Sequence, residues 1–242
     1  MQNGFKDLKV TRQFTDALES MGITTPTEIQ AKGIPPAISG QDVLGIAQTG
    51  SGKTLAFLLP LVMKIKQAGD GKPKGLIMVP AKELALQIFD VLNALTVNTN
   101  IRSVCLYGGV GKTTQAKSLE DGCEIIVATP GRFLDLYSHG FVELKTVKTL
   151  VLDEADRLME MGFLSQLKSL LEVIPTKRQN LLFSATFPER VKYMADEFLE
   201  FPTRVEGSMK EKPVDKLDQR WMRVVNFRSK LNLLLHLFEK EE

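Results

Sequence analysis

Ala47-Gln-Thr-Gly-Ser-Gly-Lys-Thr54 is the stretch on which the reading of this chain turns. The run before it, Asp42-Val-Leu-Gly-Ile-Ala47, is short and apolar and reads as a buried strand. The segment after it, Thr54 to Lys66, is apolar and helix-like. Between strand and helix, Gly50 and Gly52 let the backbone amides turn inward and approach a ligand closely, with Gln48, Thr49 and Ser51 completing the loop. Such a loop suits phosphate, whose charge is further favoured at the start of the following helix. Lys53 would bring a point charge to the β and γ phosphates of a nucleotide, and the Thr54 hydroxyl is placed to ligate Mg2+. One position departs from the strict motif: its first residue, usually Gly, is Ala47.

A second stretch complements the first. Lys148-Thr-Leu-Val-Leu152 has the composition of a parallel strand buried on both faces, and it runs directly into Asp153-Glu-Ala-Asp156. Carboxylates at the C-terminal end of such a strand fall on the edge where open α/β sheets bind ligands. Asp153 is the candidate Mg2+ ligand and Glu154 the candidate for positioning or deprotonating an attacking water. Further apolar runs near 75–79, 103–107, 124–128, 180–184 and 203–206 alternate with helical stretches. This alternation predicts an α/β fold, a parallel sheet with helices on both faces. It does not fix the strand order.

Composition adds limits. The 242 residues suffice for one large α/β domain, and 43% hydrophobic with 25% charged residues is ordinary for one. A net charge of +2 provides no general field for a polyanion, so any grip on nucleic acid must be local. Lys64, Lys66, Lys72 and Lys74 read as a solvated helix end and loop. Cys105 and Cys123 border or lie in apolar strands and read as buried free thiols, and His139 and His236 show no metal-ligand spacing. Ala68-Gly-Asp-Gly-Lys-Pro73 reads as a flexible surface loop. No secretory signal or long apolar span occurs, so the expected setting is intracellular, the cytoplasm first.

Taken together, the motifs resemble those of the DEAD-box ATP-dependent RNA helicases, in the family's order and from about Phe5 to Glu206. The resemblance implies the first of that family's two RecA-like P-loop NTPase domains, with ATP and Mg2+ bound. Gly22-Ile-Thr-Thr-Pro-Thr-Glu-Ile-Gln30 is similar to the adenine-reading Q motif. It implies adenine contacts from Gln30, whose amide both donates and accepts, and from Ile23, Thr25 and the upstream aromatic Phe5. Ile23 stands where the family commonly has an aromatic residue. Pro80-Ala-Lys-Glu-Leu-Ala85 is similar to motif Ia, with Ala81 for the usual Thr and Lys82 for the usual Arg. The first change loses a hydroxyl contact to RNA phosphate; the second replaces a fork by a point charge. Ala81, Leu84, Ala85, Ile88, Leu92 and Leu95 also form one apolar helical stripe, so most of this segment reads as core. Gly108-Gly109 and Thr129-Pro130-Gly131-Arg132 resemble the family's paired glycines and motif Ib. The resemblance implies that Pro80, Lys82 and these residues grip RNA phosphates without reading bases. Ser184-Ala-Thr186 resembles motif III, which implies hydroxyl hydrogen bonds to Asp156 linking the ATP and RNA sites.

After Glu206 the character changes. The resemblance covers residues 1–206 as the ATP-binding domain. Residues 207–219 are polar, mix charges of both signs and read as a linker. Residues 220–242 then resemble the opening of the second RecA-like domain, with Trp221 to Val225 as a strand and Ser229 to Lys240 as an amphipathic helix. No His-Arg-x-x-Arg pattern occurs in the chain. The expectation is an RNA helicase half that binds ATP and RNA, hydrolyses slowly and needs the second domain to unwind a duplex. Two alternatives stand beside it: a non-catalytic module that binds RNA or a partner, and a P-loop ATPase of another class, such as a DNA helicase or a transporter subunit.

Overall fold

The seven apolar runs before residue 207 become the strands of one sheet. The computed structural model describes residues 4–65, 68–207 and 221–239. The strands are β1 (Val43–Ile46), β2 (Gly75–Met78), β3 (Ser103–Leu106), β4 (Ile125–Ala128), β5 (Thr149–Leu152), β6 (Gln179–Ser184) and β7 (Thr203–Glu206). All pair in parallel, in the order β3-β4-β2-β5-β6-β1-β7. β1, β2, β4, β5 and β6 are buried at every position, which is why they appear in the sequence as unbroken apolar runs and not as alternation.

Two apolar layers sandwich the sheet. One packs Val43, Ile77, Val127, Val151, Leu181 and Phe183 against helices α1 (Arg12–Ser20), α2 (Glu28–Ile38), α3 (Lys53–Lys64) and α4 (Lys82–Thr96). The other packs Leu44, Met78, Ile126, Leu150 and Leu182 against α5 (Lys112–Glu120), α6 (Pro130–Ser138), α7 (Ala155–Glu160), α8 (Leu164–Val173) and α9 (Glu189–Phe198). Successive strand residues thus enter opposite layers, as the pleat requires. The apolar stripe on α4 is largely core: Ala85, Ile88, Leu92 and Leu95 are buried. Gly45 is dictated by packing, since a Cβ there would lie 2.4 Å from the Phe183 ring on the neighbouring strand.

At the N-terminal edge of the sheet, burial of polar groups is fully compensated. Asp42 accepts bonds from Asn180 N (2.7 Å), Asn180 Nδ2 (3.1 Å) and Glu200 N (2.8 Å). Glu124, 0% exposed, accepts from Gly69 N (2.9 Å), Gly71 N (3.0 Å) and Arg102 N (2.7 Å). The segment expected to be a flexible loop is therefore tied to a buried carboxylate and is closed by the Asp70–Lys74 ion pair (2.6 Å). Its polar, glycine-rich composition reads as a free loop only because the anchor lies far along the chain.

The chain divides into two compact units, Met1–Met209 and Lys210–Glu242. In the second, α10 spans Phe227–Glu239. The strand expected over Trp221 to Val225 is corrected: no strand forms there among the described residues. Strand structure needs a hydrogen-bonded neighbour, and an apolar run alone supplies none. Most of the expected linker lies outside the described residues.

Candidate active site and nucleic-acid face

Parallel strands bring every strand-to-helix turn to one edge. β5, β6 and β1 are successive neighbours, so the turns at 153–156, 184–186 and 47–54 meet on one half of that edge. β3, β4 and β2 are likewise successive, and carry the turns at 107–111, 129–132 and 79–82 on the other half. In register, Ile46 lies beside Ser184, and Ala47 N donates to Ser184 O at 3.0 Å. Asp153 N donates to Met78 O at 3.0 Å, joining the two halves.

The turn after β1 is shaped as an anion cradle. Gly50 (φ 80°) and Gly52 (φ 92°) hold left-handed conformations. Among the described residues, the N–H groups of Thr49, Gly50, Gly52 and Lys53 meet no protein acceptor. Among the described residues, Ser51 Oγ is the buried side-chain polar atom left without a partner. Lys53 is 7% exposed and donates from Nζ to Ala47 O at 2.6 Å. A buried ammonium, several unpaired amides and an orphaned hydroxyl around one turn fit a phosphate chain.

Opposite, Asp153 is 2% exposed. Burial pushes its carboxyl up to about 7, against the opposing pull of the Lys53 charge. Its Oδ1 accepts from Glu154 N at 2.9 Å. Such a carboxylate favours a cation, and Thr54 lies in the first turn of α3, after the glycine turn. Among the described residues no three His, Cys, Asp or Glu side chains form a ready metal cage. Glu154 is buried and sits at φ 50°, ψ 52°, a left-handed conformation that costs a residue with a Cβ about 1–3 kcal/mol. Its Oε2 accepts from Arg157 Nη1 at 2.8 Å.

Asp156 faces the turn after β6. Its Oδ2 accepts from Thr186 N (2.9 Å) and Thr186 Oγ1 (2.8 Å), and its own N–H donates to Ser184 Oγ (3.2 Å). Burial would raise this carboxyl, but the bonds from Thr186, Ser184 and Arg157 together outweigh it and hold the group below its ordinary value. The hydroxyl bonds expected between Ser184, Thr186 and the acidic segment are thus present.

The upstream segment packs against the glycine turn and the apolar layer. Gln30 is 2% exposed; its Oε1 accepts from Thr27 N (2.9 Å) and its Nε2 donates to Gly52 O (2.9 Å). The amide expected to read adenine is engaged in capping α2 and bracing the phosphate turn. Phe5 is buried in the apolar layer with Leu8, Val10 and Phe14, not open as a stacking platform. Ile23 is half-buried against the same layer, and Thr25 is exposed.

On the other half, helix starts line up. α4 begins at Lys82 after buried Pro80, and α6 at Pro130 after Thr129. Gly108, Gly109 (φ 88°) and Gly131 are exposed. Lys82 Nζ lies 5.1 Å from the Tyr107 ring centroid, leaning across β4. Arg132 makes bonds within the protein. Its guanidinium donates to Gln115 Oε1 (3.0 Å) and Val110 O (2.9 Å), so it braces the glycine turn from behind.

A family model described as DEAD/DEAH box helicase matches residues 27–194. The chain belongs to the DEAD/DEAH box helicase family. It is 40% identical over 241 residues to DEAD-box ATP-dependent RNA helicase 30 of Arabidopsis thaliana, covering 98% of this chain and 41% of the relative. It is 42% identical over 239 residues to the ATP-dependent rRNA helicase RRP3 of Candida albicans, covering 98% of this chain and 44% of that protein. The chain therefore spans less than half the length of these curated relatives. Among solved structures, a DEAD box protein from the hyperthermophile Methanococcus jannaschii superposes with a TM-score of 0.80 at 32% identity, over 85% of this chain and 56% of that one. The seven-stranded parallel sheet is thus the RecA-like fold of this family.

Two contributors to this DEAD-box site escape motif reading. Arg157 pairs with Glu154, a contact signalled in the sequence only by i, i+3 spacing in a short helix. Gln115 supports Arg132 and also donates to Tyr107 O at 3.1 Å, with nothing in the local sequence to mark it.

Proposed function

We propose that this chain is the ATP- and RNA-binding first domain of an intracellular ATP-dependent RNA helicase, whose ATP hydrolysis drives local duplex separation once a second RecA-like domain closes on it. The observation that carries the reading is the meeting of the glycine turn, with its unpaired amides and buried Lys53, and the buried Asp153-Glu154 pair on the turns that flank β6, close enough for the Lys53 charge to act on the Asp153 carboxyl.

In this reading the amides of 49–53 cradle the phosphates and Lys53 neutralises the β and γ oxygens. Thr54 Oγ1 and Asp153 hold Mg2+, which when bound neutralises charge developing on the transferred phosphoryl group. Glu154 orients the attacking water and accepts its proton. Asp156, tied to Ser184 and Thr186, carries the state of the nucleotide site toward the RNA-facing turns. Pro80, Lys82, Gly108, Gly109 and the Thr129-Pro130-Gly131 helix start bind RNA phosphates through bare amides and one point charge, without reading bases. Arginines from the second domain complete the nucleotide site, and an arginine of this kind is worth ~10³–10⁵ in rate.

The test is ATP hydrolysis with and without single-stranded RNA, with single-stranded DNA as comparison and Lys53→Ala as blank. The reading expects nucleotide binding by residues 1–242, slow hydrolysis, and RNA-stimulated turnover when the second domain is joined. ATP-dependent unwinding by residues 1–242 alone would refute the division of labour, and nucleotide binding unchanged by Lys53→Ala would refute the site.

A further inference from the structure

Glu154 is fixed from both sides through its backbone. Its N–H donates to Asp153 Oδ1 at 2.9 Å, and its carbonyl accepts from Leu158 N at 3.0 Å in the first turn of α7. The left-handed φ and ψ then set where its Cβ points. What the backbone leaves undecided is the rotation of the side chain. Among the described residues one group settles it: Arg157 Nη1, 2.8 Å from Oε2. Oε1 has no described donor, and it is not among the buried atoms lacking a partner, so it stays accessible to water.

The geometry points to Arg157 as a positioning residue for the proposed hydrolysis: it clamps one carboxylate oxygen of Glu154 so that the other is presented to the attacking water. This deepens the proposed function and rests on it. The asymmetry of exposure supports the assignment. The Glu154 side chain is 10% exposed and that of Arg157 57%. With the guanidinium exposed, solvent screens the pair and its contribution to folding is modest. Its value to the protein lies in where it holds the carboxylate. Lysine would supply the charge without the planar fork and methionine only the stem, so the pair separates charge from packing.

The experiment is single-turnover hydrolysis of saturating Mg-ATP by the full-length protein with single-stranded RNA, followed for hours so that slow chemistry registers. Arg157→Met should lower the hydrolysis rate about five- to tenfold, and Arg157→Lys should recover most of that loss. ADP affinity and thermal midpoint should stay at the unmodified values in both, because the cradle and core are untouched. An Arg157→Met rate equal to the unmodified protein overturns the assignment. So does a loss that Arg157→Lys does not recover, or one that parallels weaker ADP binding or a lower thermal midpoint. If the unmodified protein hydrolyses no faster than Lys53→Ala, the proposed function itself fails and this inference with it. If it turns over and Arg157→Met turns over equally, only the role of Arg157 fails.

Discussion

Replacing Glu124 by glutamine tests whether the buried carboxylate at the N-terminal edge of the sheet is what orders the turn at 68–72. The side chain is fully buried, and its two oxygens receive three backbone N–H groups at 2.7–3.0 Å. The Arg102 guanidinium stands 3.9 Å away. Glutamine keeps the shape but replaces one oxygen with an NH2 group. Whichever way the amide turns, that group faces a donor. If it faces Arg102 N, the 2.7 Å bond becomes a donor–donor contact; if it faces Gly69 and Gly71, two bonds are lost. A hydrogen bond to a charged group is worth about 1.5–3 kcal/mol, and a buried donor without a partner costs about 1–3 kcal/mol. Relief from burying a charge offsets part of this. The net expectation is a loss of about 3 kcal/mol, read by urea unfolding of the first unit. For a unit of this size that is a fall in thermal midpoint of roughly 6–12 °C. ADP affinity should be unchanged, because the cradle lies at the opposite edge of the sheet. A Glu124→Gln protein within about 0.5 kcal/mol of the original would refute the reasoning, since the unpaired donor alone should cost more.

Lys53→Ala should abolish tight ATP binding while Glu154→Gln leaves ADP binding nearly intact and slows hydrolysis; equal loss of binding in both, by fluorescent-nucleotide titration, would contradict the roles given to them. Thr186→Val removes the 2.8 Å bond to Asp156 but keeps the backbone donor, so unfolding free energy should fall by about 1.5–3 kcal/mol. Burial pushes the Cys105 and Cys123 thiols up to about 12, so alkylation of the native protein at mildly alkaline pH should be far slower than of the unfolded chain. Lys64 is pulled down from 10.5 to about 8 by burial, against the pull of Asp42. Above the folded value the unfolded chain holds more protons, so the contribution of Lys64 to stability rises with pH between about 8 and 10.5 and is flat below. The stability of Lys64→Met relative to the original should therefore decline across that window in paired unfolding curves.

The strands were legible because five of them are buried on both faces and one apolar run suffices to mark each. Their order was not, because it depends on which runs meet after long crossovers. The glycine turn and the Asp153-Glu-Ala-Asp156 segment were legible because their chemistry is local in sequence. The partners of Gln30, Arg132 and Glu124 were not. Gln30 reaches Gly52, Arg132 reaches Val110 and Glu124 reaches Gly69, all across long stretches of chain. A polar side chain in sequence displays its capacity for hydrogen bonds but not which of them the fold already uses. The same limit applies to Trp221 to Val225, whose apolar pattern could not tell whether a neighbouring strand would be there to pair with it.

The split of the sheet edge into two runs of neighbouring strands has an evolutionary consequence. The turns proposed to hold nucleotide follow β1, β5 and β6, and those proposed to hold RNA follow β2, β3 and β4. Within the sheet the two groups meet at the β2–β5 seam, where Asp153 N meets Met78 O. Ala81 and Lys82, which depart from the usual motif Ia, sit on the RNA side of that seam. On the proposed reading, a lineage can therefore drift in how firmly it holds a polynucleotide while the turns proposed for nucleotide stay intact.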